Sequence, residues 1–240
     1  MEAIKVGRRT WRITSSDGHR YAVRPIVADR IPVFRRLASL ALPVLPPITY
    51  VGYDSGGTAS VIESWVHGSP LSVVIPHLAS TSGIALNLCR LLAGSLQILH
   101  ERARIIHGDF KPSNVVLELA GPRCVLVDLE FASVPGRNGW AESGGMTPRY
   151  AAPEQLEGRM TWATDIRALG LTLAEILVGH HPFEDSLRHM RDLDATARYV
   201  ATHQWQPSSH SPVLQLVARM TAVDPSLRPS WSTIQNVLAY

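Results

Sequence analysis

The feature that most constrains the fold is a change of pattern near residue 66. Up to about Glu63, short strand-like runs are separated by turns, whereas from Leu71 onward most segments repeat with a helical period. Segregated strands and helices are typical of the α+β class. The sequence therefore predicts a small sheet-rich lobe over 1–66 and a larger helical lobe over 67–240, with a ligand cleft between them.

Turn residues delimit the predicted strands of the first lobe. The pairs Asp17-Gly18 and Gly56-Gly57 are typical of hairpin turns. One helix, over 31–41, interrupts the strands, because its apolar positions recur with a helical period and a proline follows it. The predicted strands are RTWRITSS, HRYAVRPI, TYVGYD and ASVIESW.

The second lobe is predicted to be mainly helical. Two short strand-like runs, NVVLEL and RCVLVDL, interrupt the helices. The predicted helices are 84–102, 165–178, 212–220 and 231–238.

Composition narrows the class of protein. The 240 residues carry a formal charge of only +3, which is too small to indicate a nucleic-acid partner. No apolar run is expected to reach the roughly 18 to 20 residues that span a bilayer, and the start lacks a signal-peptide pattern, so we expect a cytoplasmic protein. Cys89 and Cys124 lie in apolar patterns and are predicted to be buried free thiols.

The run HGDFKPSN contains the residue types that phosphoryl transfer needs. Asp109 could orient an attacking hydroxyl, and Lys111 places a cation near a transferred phosphate. Asn114 and Asp128, which follows the strand-like CVLV, offer oxygen ligands for a metal ion. These four residues predict a site for ATP and Mg²⁺, with Mn²⁺ as an alternative ion.

Several ordered motifs resemble those of the eukaryotic-type protein kinases. IIHGDFKPSNVVL resembles the catalytic loop H-R-D-L-K-P-x-N. GGMTPRYAAPE resembles the segment that holds a peptide substrate, and DIRALG resembles the start of the central helix of the large lobe. HHPF and DPSLRPS follow in the order found in that family.

The resemblance implies roles for further residues. Glu154 and Arg228 are expected to form a buried ion pair, and Asp165 is expected to hydrogen-bond the backbone of the catalytic loop. Glu63 and Trp65, where the two lobes join, are expected to help bind the cofactor. The residues expected to be catalytic are Asp109 and Lys111, those expected to bind the cofactor are Arg24, Glu63, Trp65, Lys111, Asn114 and Asp128, and those expected to bind the metal are Asn114 and Asp128.

The first lobe departs from the family pattern. No G-x-G-x-x-G precedes the strand YAVRP, so the backbone cradle for phosphates is missing or rebuilt from VGRRTWRITSSDGH. Arg24 stands where V-A-I-K has its lysine, and guanidinium binds phosphate with a different geometry. No glutamate occurs between Arg24 and Glu63, so the following helix offers no evident partner for this cation.

The second lobe departs at two positions. Gly108 replaces the arginine that clamps a phosphorylated activation segment in many kinases, so control by that route is not expected. DLE replaces D-F-G, which removes a glycine and its access to positive φ. Glu130 is expected either to add an acidic oxygen near the metal or to face solvent.

Three functions fit this sequence. The first is a protein serine/threonine kinase, because Thr147 stands where such enzymes place a threonine that bonds the catalytic aspartate and lysine. The second is a pseudokinase that serves as a binding or regulatory module. The third is a small-molecule phosphotransferase, which HGD favours but Lys111 and TPRYAAPE oppose. The expected partner is a protein substrate or a regulatory protein.

Overall fold

The first part of the chain folds into a five-stranded antiparallel sheet. The structure is a computed structural model that describes residues 2–7, 9–78, 83–119, 121 and 123–239. The strands pair in the order β1-β2-β3-β5-β4, and helix α1 lies between β3 and β4 in sequence. These elements are β1 (Glu2–Lys5), β2 (Trp11–Thr14), β3 (Arg20–Pro25), α1 (Ile31–Leu40), β4 (Ile48–Tyr53) and β5 (Ala59–Ser64).

The two predicted hairpin turns are present, and a third hairpin was not predicted. Gly18 and Gly57 have φ of 84° and 79°, values that favour glycine. Strand β1 pairs with β2, and the amides of Val6 and Gly7 both donate to the carbonyl of Thr10 at the hairpin tip. All four residues of β1 are exposed, so the strand has no buried face to produce an apolar pattern.

The second part of the chain is mainly helical. Helix α3 continues directly into a π-helical turn, Leu99–Ala103. The helices are α2 (Leu71–Val74), α3 (Gly83–Ile98), α4 (Pro153–Leu156), α5 (Trp162–Val178), α6 (Glu184–Leu187), α7 (Leu193–Thr202), α8 (Pro212–Met220) and α9 (Trp231–Leu238). The strands are β6 (Gly68–Pro70), β7 (Val115–Glu118) and β8 (Cys124–Leu126), which form one sheet, and β9 (Ala141–Glu142) and β10 (Arg159–Met160), which pair with each other.

The helix boundaries agree with the sequence in part. Helices α8 and α9 have the predicted bounds. Helix α5 begins three residues earlier than predicted, because Thr161 and Thr164 form a capping box at its start. Helix α7 was missed, since its buried positions are mostly small residues that give a weak apolar period.

Helices α3 and α5 form the core of the helical part. Helix α3 packs against α5, α9 and β8, and α5 packs against α8. Cys89 and Cys124 lie in this core as free thiols, as predicted, and burial raises the pKa of each to about 12. Neither thiol is therefore ionised near neutral pH.

One sequence prediction about apolar length is wrong. Within the described residues, one helix, Gly83–Ala103, is long and apolar enough to cross a membrane by length and composition alone. It reaches this length because α3 runs without a break into the π-helical turn. Half of its most apolar window is buried inside the chain, as in the core helix of a globular domain.

The predicted ion pair between Glu154 and Arg228 is present and buried. Two guanidinium nitrogens donate to the two carboxylate oxygens at 2.6 and 3.1 Å, and the hydroxyl of Thr164 adds a bond of 2.8 Å. Burial alone would raise the pKa of Glu154, but the hydrogen bonds and charge of Arg228 outweigh it and hold the pKa below its usual value. The pair connects the Ala-Pro-Glu segment to the end of the chain's helical part.

We expect Arg228→Ala to lower the free energy of unfolding by about 3 to 5 kcal/mol, because it leaves a buried carboxylate without its partner. Arg159→Ala is the control: its ion pair with Glu157 is exposed on both sides and should change stability by about 1 kcal/mol or less. Urea denaturation of the three proteins measures both effects. Equal midpoints for Arg228→Ala and the parent would contradict the assignment.

The stability contributed by Glu154 should depend on acidity. Its folded-state pKa is lowered, so the contribution is complete above the unfolded-state pKa of about 4.3 and is lost as the pH falls through the folded-state value. The difference in unfolding free energy between the parent and Arg228→Ala should therefore narrow below about pH 4. A difference that stays constant from pH 7 to pH 3 would argue against this linkage.

Candidate active site

The catalytic loop is held in place by one buried carboxylate. Asp165, in α5, accepts the backbone amides of His107 and Gly108 at 2.6 and 2.9 Å and Nε2 of His100 at 2.7 Å. Burial by itself would raise the pKa of Asp165, but these bonds and the neighbouring imidazoles keep it below its usual value. Asp165 therefore stays ionised and positions the loop, as the sequence predicted.

Gly108 has a structural reason to be glycine. Its φ is 79°, and a Cβ there would lie 2.9 Å from the carbonyl oxygen of Phe131. Gln155 also donates to the Gly108 carbonyl at 2.8 Å. A side chain at this position, such as the arginine of many kinases, would require the backbone to move.

Asp109, Lys111 and Thr147 form a compact hydrogen-bonded group. Lys111 Nζ lies 2.5 Å from Asp109 Oδ2 and 2.5 Å from Thr147 Oγ1. The amide of Thr147 donates to the other Asp109 oxygen at 2.9 Å. Asn114 Nδ2 donates to the Asp109 carbonyl at 3.0 Å. The same Nδ2 also lies 3.3 Å from Asp109 Oδ2, so the carboxylate has donors on three sides, and the predicted bonds of Thr147 to the aspartate and the lysine are present.

Arg24 has the carboxylate partner that the following helix does not provide. Glu63, on the neighbouring strand β5, accepts from Arg24 Nη2 at 2.6 Å, and Asp128 accepts from Nη1 at 2.8 Å. Burial would lower the pKa of Arg24, but the two carboxylates outweigh it and raise the pKa. The following helix offers no partner, as expected, and the partner comes instead from β5, which is adjacent to β3 in the sheet.

Helix α1 is attached to the second part of the chain by arginine side chains. Arg30 Nη1 donates to the carbonyl of Ala132 and to Ser133 Oγ, both at 3.0 Å. Arg36 Nε donates to the carbonyl of Ala103 at 2.8 Å. These bonds hold α1 against the segment that follows Glu130.

The predicted cofactor residues surround one cavity of about 300 Å³ between the sheet and the helical part. Apolar side chains of both parts, including Ala22 and Val116, also line it. The carboxylate of Glu63 is turned to Arg24, and the amide of Trp65 donates to the carbonyl of Arg20 at 2.9 Å. The predicted residues in the lining are Arg24, Glu63, Trp65, Asn114 and Asp128.

A second cavity, of about 580 Å³, adjoins the first. Asp109, Lys111 and Thr147 line it, and Arg24 and Asp128 line both cavities. A ligand that filled the first cavity would therefore have its far end next to the Asp109 group.

The structure gives the backbone conformation of the DLE segment and the partner of Glu130. The left-handed conformation falls on Asp128, with φ of 60°, and not on the position where glycine was lost. The Glu130 side chain is 33% exposed and its carboxylate accepts from Arg9 Nη1 at 2.8 Å, while a role beside the metal stays a prediction. Sequence reasoning missed this contact. The only sequence feature that could have indicated the contact is the charge: two adjacent arginines follow Gly7, and DLE is acidic.

The donor set fits a magnesium ion that shares its ligands with phosphates. The Nδ2 of Asn114 is used by Asp109, which leaves its Oδ1 as a ligand, and Asp128 has one oxygen beyond the one that Arg24 binds. Among the described residues no group of three His, Cys, Asp or Glu could hold a metal ion alone. Magnesium at nucleotide sites commonly takes only one or two protein ligands, with phosphate and water oxygens completing its shell.

Comparison with known proteins gives the class that the fold and site define. The family described as "Protein kinase domain" matches residues 53–238, so the chain belongs to the protein kinase domain family. The match begins within β4, after the first three strands, where the sequence departs most from the family pattern.

Individual relatives carry the same family name. "Serine/threonine-protein kinase C" of Synechocystis sp. is 31% identical over 57% of this chain and 27% of its own length. "Serine/threonine-protein kinase pkn2" of Myxococcus xanthus is 30% identical over 81% of this chain and 25% of its own length. "Serine/threonine-protein kinase PrkC" of Bacillus subtilis is 27% identical over 59% of this chain and 22% of its own length. The chain thus spans about a quarter of the length of these relatives.

The two carboxylate partners of Arg24 should differ in their effect on stability. Glu63 is buried, whereas the Asp128 side chain is 46% exposed. We expect Glu63→Gln to cost about 3 kcal/mol or more of unfolding free energy, since it leaves a buried guanidinium short of charge. Asp128→Asn should cost about 1 kcal/mol or less. Denaturation midpoints of the two amide variants check this, and a larger loss for Asp128→Asn would reverse the assignment.

Proposed function

We propose that the chain transfers the terminal phosphoryl group of ATP to a serine or threonine hydroxyl of a protein. The observation that carries the proposal is the Asp109 carboxylate, held by Lys111 and Thr147 beside the cavity that Arg24 and Asp128 line. The family match and the names of the relatives support the same reaction class. We place the boundary between the nucleotide-covering lobe and the helical lobe at residues 66 and 67, just before β6 joins the second sheet.

The residues of the candidate active site have separate roles in this reaction. Asp109 orients the acceptor hydroxyl and takes its proton as the oxygen bonds to the terminal phosphorus, while the bond to the bridging oxygen of the departing ADP breaks. Lys111 lies 2.5 Å from Asp109 and places its positive charge where the equatorial oxygens of the transferred group accumulate negative charge. Arg24 supplies a second cation on the nucleotide side.

A divalent cation, Mg²⁺ or Mn²⁺, would be held by Asn114 and Asp128. When bound, such an ion neutralises phosphate charge and orients the phosphate chain. The tether from Asn114 Nδ2 to the Asp109 carbonyl fixes the amide that offers the ligand oxygen. Asn114 therefore connects the metal position to Asp109, the residue that orients the hydroxyl.

The two alternative functions are less well supported. A module used only for binding has no chemical need for Asp109, Lys111, Asn114 and Asp128 in one hydrogen-bonded arrangement, and the relatives are named as kinases. A small-molecule phosphotransferase would not need the TPRYAAPE segment, whose Thr147 and Glu154 bond the catalytic loop and Arg228 respectively. A cytoplasmic location stays a prediction.

Phosphoryl transfer should depend strongly on Asp109 and Asp128. We expect Asp109→Asn to lower the rate by roughly 10² to 10⁴, the range for loss of a general base, and Asp128→Asn to abolish the dependence on magnesium. Arg24→Lys should have a smaller effect, since it keeps the charge. Radiolabelled transfer from ATP to the chain itself and to a general basic protein measures these rates, with Arg159→Ala as the control.

The outcome that would replace this proposal is specific. If the parent transfers no more label than Asp109→Asn across a range of Mg²⁺ and Mn²⁺ concentrations, the chain is not a kinase for these acceptors. Retained binding of ATP in that case would support the pseudokinase function. Loss of ATP binding at millimolar concentration would remove the nucleotide site as well.

A further inference from the structure

The tip of the first hairpin reaches across the mouth of the cleft. The described residues of the tip are 6, 7, 9 and 10, between β1 and β2, and Arg9 bonds Glu130 of the DLE segment at 2.8 Å. The two residues are 121 positions apart in sequence. Within the described residues, this ion pair connects the hairpin tip to the second part of the chain.

Arg9 lies where a phosphate chain would lie. It lines the 580 Å³ cavity together with Arg24, Lys111, Asp109 and Asp128. A nucleotide in the adjoining 300 Å³ cavity would extend its phosphates past Arg24 and Asp128, which line both cavities. The guanidinium of Arg9 borders that path.

Two backbone amides of this hairpin tip are already used within the hairpin. The amides of Val6 and Gly7 already donate to the carbonyl of Thr10. The sequence also lacks the glycine-rich pattern whose amides would face a phosphate. The side chain of Arg9 offers a donor for phosphate oxygens at this tip, and arginine forms bidentate bonds with phosphate.

Of the described cations in the cleft, Arg9 has the most exposed ion pair. Arg24 is almost fully buried between two carboxylates, and Lys111 is bonded to Asp109 and Thr147. The Arg9 and Glu130 side chains are 53% and 33% exposed. Exposed ion pairs contribute little stability and exchange partners readily, whereas a phosphate chain brings more negative charge than one carboxylate.

We propose that Arg9 is a phosphate-binding residue for the nucleotide and that Glu130 competes for its guanidinium when no nucleotide is bound. This inference rests on the proposed function and names a residue of its nucleotide site. Nucleotide binding breaks the Arg9–Glu130 pair and transfers the guanidinium to the phosphates. The cross-cleft contact is thus replaced by one that passes through the ligand.

Opposite effects of two variants test this competition. Arg9→Ala removes the phosphate contact and should weaken ATP binding about tenfold, the size of one charged hydrogen bond at a partly exposed site. Glu130→Gln removes the competitor and should strengthen ATP binding by about two- to fivefold. Calorimetry with ATP measures both, in EDTA and in magnesium. A pair that only latches the two parts together would shift affinity in the same direction in both variants, which would overturn the proposal.

Controls separate this inference from the proposed function itself. Adenosine, which lacks phosphates, should bind the parent and Arg9→Ala equally. Arg159 and Glu157 form an exposed ion pair comparable to Arg9–Glu130, and the variants Arg159→Ala and Glu157→Gln should leave ATP affinity unchanged. Absence of ATP and adenosine binding in the parent would overturn the proposed function and the inference that rests on it. ATP binding that is equal in the parent and Arg9→Ala would overturn only the role of Arg9. A weaker affinity of Glu130→Gln in magnesium alone would assign Glu130 to the metal and contradict the competition.

Discussion

The Asp165 carboxylate connects the centre of the helical part to the chemistry of the cleft. Because it accepts two consecutive backbone amides of the catalytic loop, it fixes the direction in which Asp109 leaves that loop. Asp109 in turn bonds Lys111 and Asn114 of the same loop and the distant Thr147, so the loop and the segment that carries Thr147 take their positions from one helix. A buried charge with several hydrogen bonds is costly to rearrange, which makes this arrangement rigid.

The cations that line the cleft are each paired with carboxylates of the chain. Arg9, Arg24 and Lys111 each bind a carboxylate, namely Glu130, Glu63 with Asp128, and Asp109. The ion pairs differ in burial, and burial decides in which of them a ligand can replace the carboxylate. The Arg24–Glu63 pair is shielded from water, whereas the Arg9–Glu130 pair is not. The cleft therefore combines a fixed cation at its base with an exchangeable one at its mouth.

Features carried by contiguous residues were predictable, and features that join distant segments were not. The catalytic loop is one run of eight residues, so its acid, cation and amide were found from the sequence, and the bonds of Thr147 to Asp109 and Lys111 followed from the family resemblance. The partner of Arg24 depends on strand order: β3 and β5 are adjacent, with Ala22 opposite Glu63 and Arg24 opposite Val61, which makes Arg24 and Glu63 diagonal neighbours. The Arg9–Glu130 contact requires the placement of both parts of the chain. Strand β1 was not predicted because its residues do not alternate between apolar and polar.

The location of the Arg24–Glu63 pair has a consequence for how the cleft responds to movement. Both residues belong to one sheet, so they move as one body. Helix α1 packs against β4 of this sheet and is also attached, through Arg30 and Arg36, to backbone carbonyls near 103 and 132. A molecule that displaced α1 would loosen the segment after Glu130 without uncoupling Arg24 from its carboxylate. The partner of the cation thus comes from within the sheet and not from α1, so a displacement of the helix does not by itself remove Glu63 from Arg24.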